Sequence, residues 1–292
     1  MNDPFRIEGP AVLSISGGRT SGYMLWRILQ AHGGKLPEDV RAIFANTGKE
    51  MPETLDFVDE MSLRWKTPIT WVEYRPKTED GKQEAIVTWH SASRNGEPFA
   101  ALIKDRQYLP NPVARFCTVE LKIRPMHRIV RGWGWEDWTS CIGIRADEPR
   151  RVAKLAARRG AETPDEIATA PLAQAGVAVK EVGEFWHKQP FDLRLPNMNG
   201  RTMHGNCDLC FLKGAKQVYS LIREQPKRAI WWIEQENKIQ KHATAQGDLT
   251  ATNARFRQDR PSYKQMYDAA MAQDELFSTI NDEPLQDCMC VD

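Results

Sequence analysis

A chain of 292 residues, 41% hydrophobic and 27% charged, has enough apolar content for one large core or two modest ones, which excludes a mainly disordered protein. A formal net charge of +1 excludes attraction to nucleic acid by the overall field, so any such affinity must come from a local patch. The opening MNDPFRIEGP lacks a basic segment followed by an apolar one, and no uncharged apolar run approaches the ~18 residues of a membrane span, so the expectation is a cytoplasmic protein without membrane contact.

Ala11, Val12, Leu13 and Ile15 form a short apolar run suited to a buried strand, while Met24, Leu25, Ile28 and Leu29 recur at helical spacing. Between them Ser14, Ser16, Gly17, Gly18, Thr20, Ser21 and Gly22 carry little bulk. Backbone N–H groups can approach a ligand closely there, and the helix start adds unpaired donors and a positive dipole end, a combination that suits phosphate. The same composition also suits a plain turn with an N-cap. Residues 40–48, VRAIFANTG, repeat the pattern of an apolar run ending in a polar turn. Pro52 fits a first helical turn, and Leu55, Val58, Met61 and Trp65 make one apolar face. Residues 68–75 predict a third strand. This alternation argues for a parallel sheet covered by helices, whose ligands bind beyond the carboxyl ends of the strands, where residues 14–22 and 46–50 both fall.

Residues 76–115, punctuated by Gly81, Gly96, Pro98, Pro110 and Pro112, predict an irregular excursion over the active face. Thr139 to Ile144 restores the strand pattern, and Arg145, Arg150 and Arg151 follow it, suiting either a solvated face or phosphate contact. The Ala-rich stretch 153–178 predicts a helix and a linker. Residues 211–265 carry 11 Lys and Arg against 5 Asp and Glu on predicted helices, one of them starting at Pro226. A solvated face is the default for such an excess, and beside a nucleotide site it also suits a polyanionic partner such as nucleic acid.

Six cysteines stand at 117, 141, 207, 210, 288 and 290. In a long chain without an export signal they point to metal or redox chemistry rather than disulfides. The C-x-x-C of HGNCDLCFLKG lets Cys207 and Cys210 meet one metal, which needs two more soft ligands; spacing alone does not separate Zn2+ from a [4Fe–4S] cluster. Cys141, inside a predicted strand, reads as a small buried hydrophobe. His127, His187 and His204 receive no role, and the tryptophans of GWGWEDW and IWWIEQ belong to a core or a domain interface.

SGGRTS at 16–21 resembles the pyrophosphatase loop of the N-type ATP pyrophosphatases. NTGKEMPET at 46–54, RFCTVELKIRP at 115–125 and GIRADEP at 143–149 narrow the resemblance to the phosphoadenosine phosphosulfate reductase family, including its bacteriophage and DNA-phosphorothioation branches. It spans about residues 11 to 150 and continues more loosely into EVGEFWHKQPFDL at 181–193. The resemblance implies an α/β fold of the adenine nucleotide alpha-hydrolase-like kind. The expected division is a nucleotide-binding unit over 1–160 and a mainly helical region over 161–292 that carries the cysteine cluster.

By the same resemblance Ser14, Ser16, Gly17, Gly18, Thr20 and Ser21 surround the phosphates, and Asn46, Thr47 and Glu50 lie near the nucleotide or its Mg2+. Lys122, Arg145 and Arg150 neutralise phosphate or sulfate, with Ser16, Lys122 and Arg145 as the catalytic candidates. In cluster-bearing members the motif around Cys117 supplies ligands upstream of a C-x-x-C pair. That implies Cys117, Cys207, Cys210 and a tail cysteine, Cys290 or Cys288, around a [4Fe–4S] cluster, with Zn2+ as the alternative. Two departures stand out: Thr20 replaces the family's usual acidic residue, and Phe116-Cys117 replaces the adjacent cysteines of the cluster-bearing reductases. The expected function is ATP activation with pyrophosphate release, coupled to sulfur transfer at the iron–sulfur site. A nucleic-acid substrate or a sulfur-donor protein is the expected partner. The alternatives are a sulfonucleotide reductase with a tail-cysteine nucleophile, and a non-catalytic accessory protein that binds nucleotide or nucleic acid.

Overall fold

Apolar runs without alternation suit strands covered on both faces, and the central strands here are such runs. A computed structural model describes residues 3–157, 165–198, 201–247 and 254–272. The strands of its main sheet are β1 (Ala11–Ile15), β2 (Val40–Asn46), β3 (Ile69–Tyr74), β4 (Glu84–Val87), β5 (Trp138–Ile142) and β6 (Glu166–Thr169). They form one sheet in the order β4-β3-β2-β1-β5-β6, parallel except for β4, which runs antiparallel on β3. Leu13 sits between Ala42 of β2 and Cys141 of β5, so the carboxyl ends of all three strands reach the same edge.

The helices in chain order are α1 (Arg19–Ala31), α2 (Pro52–Arg64), α3 (Glu97–Arg106), α4 (Phe116–Thr118), α5 (Arg124–Gly132), α6 (Pro149–Ala157), α7 (Pro171–Gln174), α8 (Val179–His187), α9 (Ala215–Glu224), α10 (Lys227–Ala245) and α11 (Tyr263–Ala272). A π-helical turn, Val119–Ile123, joins α4 to α5. On one face of the sheet α1, α2 and α8 bury Met24, Val58, Phe57 and Trp186. On the other, Val12, Ile43 and Val72 meet Val130 of α5 and Trp138. A separate core around Phe99, Trp232, Phe256 and Tyr263 holds the C-terminal helices together. The tryptophans of IWWIEQ belong to that core, as the sequence predicts.

Two expectations need correction. The excursion over 76–115 contains β4 and α3. The stretch 153–178 contains β6 and α7 as well as α6, so it is more than a helix and a linker. Both missed strands are four-residue edge strands with a single partner, and Ile86 and Ile167 remain exposed on them, so neither shows the apolar pattern by which a buried strand is recognised. Cys141 is fully buried, and burial alone pushes its thiol up to about 12, in keeping with a structural role.

Glu236 of α10 is buried and accepts hydrogen bonds from the Phe256 N–H at 3.3 Å and the Tyr263 N–H at 3.1 Å. Burial outweighs those bonds and raises its carboxyl from 4.5 to about 7. A group with a raised folded pKa favours folding while protonated, so its contribution is full below the unfolded value and is lost as pH rises through the folded one. Thermal melts followed by circular dichroism are therefore expected to weaken from pH 4.5 to about 7, and Glu236→Gln to flatten that slope. An unchanged slope in the variant assigns the pH dependence elsewhere.

Candidate active site

The loop after β1 is shaped by its own hydroxyls. Ser16 Oγ lies 2.9 Å from Ser21 Oγ, the Ser16 N–H donates to Ser21 Oγ at 3.1 Å, and Ser21 Oγ donates to the Gly18 carbonyl at 3.0 Å. Gly17 has φ +80, and a Cβ there would stand 2.4 Å from Thr54 Cγ2, so only glycine fits. Gly18 is the N-cap of α1 and provides no side-chain cap, which leaves the first N–H groups of the helix available to an anion. Ser14, the first of the predicted loop residues, is half-buried on β1.

Thr20 is buried, and its Oγ1 accepts from Arg145 Nη1 at 2.9 Å. Arg145 reaches it because Gly143, just past β5, lies against the loop: a Cβ on Gly143 would be 3.0 Å from Ser21 Cα. The guanidinium also pairs with Asp147 at 2.9 Å and with Glu148 at 3.7 Å. Arg150 is exposed on α6, while its neighbour Arg151 also pairs with Glu148. Arg19, which sequence reasoning passed over, fastens the loop to the returning segment. It pairs with both Asp192 oxygens, at 2.7 and 2.8 Å, and donates to Thr202 Oγ1 and to the Leu193 carbonyl. No spacing marks such a partner in advance, because 173 residues separate Arg19 from Asp192.

The turn after β2 is braced from inside. Asn46 donates to Glu73 Oε1 at 2.6 Å and to the Ser93 carbonyl at 2.8 Å, and its own oxygen accepts the Gly48 N–H at 3.1 Å. Thr47 Oγ1 lies 2.9 Å from both carboxylate oxygens of Glu50, and Lys122 Nζ is 4.0 Å from Glu50 Oε1. Burial raises the Glu50 carboxyl above the usual carboxylate range, opposed by the Lys122 charge and the Thr47 hydrogen bonds. Lys122 stands in the π-helical turn, whose extra residue changes the direction of its side chains relative to a regular helix.

Cys117, Cys207 and Cys210 line one cavity of about 20 Å³, together with Thr47, Lys122 and Trp232. Thr47 Oγ1 is 3.4 Å from Cys207 Sγ, so the turn after β2 touches the C-x-x-C turn directly. Cations hold the carbonyls of that turn. Lys213 Nζ donates to the carbonyls of Gly205, Cys207 and Asp208 at 2.6, 2.7 and 3.0 Å, and Arg260 donates to the Lys213 carbonyl at 2.7 Å. Tyr263 adds a bond from its hydroxyl to the Leu209 carbonyl at 2.5 Å. Burial pushes the Cys207 thiol well above its ordinary range, and the nearby Glu50 and Cys210 add to the shift.

Among the described residues no three His, Cys, Asp or Glu side chains gather as a metal-binding group. What the site offers is soft donors on one cavity wall. Cys288 and Cys290 lie outside the described residues. No helix among the described residues is long and apolar enough to cross a membrane.

The family described as the phosphoadenosine phosphosulfate reductase domain matches residues 10–176, more than half of the chain, including both turns, Cys117 and Arg145. The chain belongs to this family. The uncharacterized nin region protein ORF290 of Escherichia phage lambda is 31% identical over 214 residues, which cover 71% of this chain and 67% of that one. The crystal structure of phosphoadenylyl-sulfate reductase from Candida auris, in phosphate complex, aligns with a TM-score of 0.40 and 15% identity over 64% of this chain and 79% of that one. The family match ends at residue 176, so Cys207 and Cys210 stand outside it.

The close approach of Gly143 to the loop can be tested by calorimetric titration with ATP. Gly143→Ala is expected to cost about 1–3 kcal/mol of stability through overpacking and to weaken ATP binding. Gly183→Ala, in α8 with nothing near its Cβ position, should leave binding unchanged and add about 0.5–1 kcal/mol of stability. Equal ATP affinity in both variants would show that the loop is not the binding surface.

Proposed function

We propose that the chain is an enzyme that binds an adenine nucleotide on residues 14–22 and carries out sulfur chemistry at the thiols beside it. The observation that carries this reading is the 3.4 Å contact between Thr47 Oγ1 and Cys207 Sγ, which joins the nucleotide turn to the cysteine turn. ATP, or a sulfated adenine nucleotide, rests its phosphates on the hydroxyls of Ser14, Ser16 and Ser21 and the backbone of Gly17 and Gly18. Arg145 and Lys122 offset the charge that develops there, and Arg150 adds to the positive rim. Asn46, Thr47 and Glu50 hold the turn that faces the nucleotide. With ATP, an acceptor oxygen attacks the α-phosphate, pyrophosphate leaves, and a sulfur nucleophile then displaces AMP from the activated acceptor; a Mg2+ held near Asn46, Thr47 and Glu50 would neutralise the leaving pyrophosphate. The protein's part in those steps is positioning and charge neutralisation.

Cys117, Cys207 and Cys210, with Cys290 or Cys288 as a fourth ligand, are the residues that would hold a [4Fe–4S] cluster, with Zn2+ as the alternative for the same thiols. Such a centre supplies a soft Lewis acid beside the nucleotide. The donor set suits it chemically: the cavity is lined by thiols, and Lys122 on its wall is the charge that favours the Cys207 thiolate. The basic excess over 211–265 suits a nucleic-acid acceptor, and a sulfur-donor protein is the second partner the reaction requires.

Anaerobic purification followed by visible absorbance and iron, sulfide and zinc assays tests the thiol centre. The expected result is a broad visible shoulder that is lost in Cys207→Ser and Cys210→Ser; a colourless preparation with stoichiometric zinc makes the thiols a zinc site. Chromatography of reactions with ATP and a sulfide donor is expected to show AMP and pyrophosphate. Sulfite release from a sulfated adenine nucleotide, without ATP turnover, would overturn this ranking in favour of a reductase.

A further inference from the structure

SGGRTS places a guanidinium in the middle of the proposed phosphate loop, where it is chemically suited to phosphate. That side chain is committed elsewhere. Arg19 Nε and Nη2 take the two Asp192 oxygens at 2.7 and 2.8 Å, and Nη1 donates to Thr202 Oγ1 at 3.2 Å. Nη2 also donates to the Leu193 carbonyl and, at 3.4 Å, to that of Leu195. Among the described residues every acceptor of this guanidinium lies between positions 192 and 202, and the side chain is only 11% exposed. The main chain of Arg19 is held from the same side. Trp186 Nε1 donates to the Arg19 carbonyl at 2.8 Å, and the Trp186 ring lies 2.7 Å from where a Cβ on Gly22 would be, further along α1. The segment 186–202 is thus bolted to the start of α1 by side chain and by backbone, and it lies beyond residue 176, where the family match ends.

We propose that Arg19 is a positioning residue for the nucleotide: it touches no phosphate, and with Asp192 as its anchor it fixes the direction and the donor strength of the α1 N-terminus. The inference rests on nucleotide binding at residues 14–22. Arg19 is the first residue of α1, so the N–H groups that point at an anion belong to the turn it fixes. The Arg19 carbonyl and the Thr20 N–H are two ends of one peptide group. A hydrogen bond accepted by the oxygen, here from Trp186, polarises that group and makes the N–H a stronger donor. Ordering a long side chain and the turn that carries it costs free energy, and the brace has met that cost before a ligand arrives. The same segment continues to the cysteine turn: the Thr202 carbonyl accepts the Gly205 N–H at 3.1 Å, and the Gly205 carbonyl accepts from Lys213 Nζ at 2.6 Å.

Calorimetric titration of the full chain with ATP, run beside thermal melts of each protein, tests the proposal. Asp192→Asn and Arg19→Gln are each expected to weaken ATP binding about tenfold, and the double variant by the same factor rather than the product, because either change already breaks the brace. Arg19→Lys is expected to behave like Arg19→Gln, since an ammonium lacks the planar fork that grips both carboxylate oxygens. Unchanged ATP affinity in Asp192→Asn, with a lowered melting temperature, makes the brace purely structural and overturns the proposal. Tighter ATP binding in Asp192→Asn, abolished by adding Arg19→Gln, also overturns it and makes the freed guanidinium a phosphate ligand. A parent protein that binds no ATP removes the nucleotide reading and the proposal with it. NMR on the unaltered chain guards against variants that do not fold. On addition of ATP the Arg19 Nε–H signal is expected to stay in place while the Gly18 and Thr20 amide signals move; a displaced Arg19 signal with static amides overturns the assignment.

Discussion

Lys49 and Asp208 are both almost fully buried, and their 3.0 Å ion pair is where the sheet meets the C-terminal helices. The Asp208 N–H donates to the Lys49 carbonyl at 2.8 Å, Trp232 Nε1 donates to its carboxylate at 2.9 Å, and Arg228 approaches at 3.3 Å. Taking two charges out of water costs several kcal/mol each, and such a pair survives when further hydrogen bonds fill the remaining lone pairs. Here they do. Loss of Asp208 would leave the buried Lys49 charge without its counter-ion, at about 3–5 kcal/mol. Gly48 and Gly96 allow the approach: the Gly96 N–H donates to the Gly48 carbonyl at 2.8 Å, and a Cβ on Gly96 would stand 2.6 Å from Trp231.

The thiols of the candidate active site depend on that junction. The parallel sheet brings the loop after β1, the turn after β2 and Arg145 to one edge without help from the C-terminal helices. The thiols do not come with it. Cys207 and Cys210 reach Thr47 because Asp208, between them in sequence, is fixed to Lys49, two residues beyond Thr47. A single short turn on each side thus brings the Thr47 hydroxyl and the Cys207 thiol into contact.

The charges around the cysteine turn balance by neighbourhood. Lys213 and Arg260 turn their donors to backbone carbonyls, while the buried Cys207 thiol resists ionisation. Glu50, raised by burial and steadied by Lys122, lies on the other side of Thr47. Burial therefore keeps the Cys207 thiol from ionising, and Lys122 is the positive charge that opposes the shift.

The strand-turn-helix units of residues 11–75 were legible because their apolar runs, glycines and Pro52 act over a few residues, where local sterics and burial of one face dominate. The hydroxyl and glycine loop, the turn at 46–50 and the structural character of Cys141 followed from the same short-range rules. The edge strands β4 and β6 did not, since one paired side and one open side leave no strong pattern. The partners of Arg19, Lys49, Asp208 and Glu73 were invisible as well, because each bond joins segments far apart in the chain and charged residues carry no periodic sign of burial. The sequence by itself determined which residue types were available for phosphate and sulfur. Only the tertiary structure decided which charges are spent on one another and which buried polar atoms, the Thr54 hydroxyl among them, are left over, because satisfaction of a buried polar group is settled by every segment packed against it.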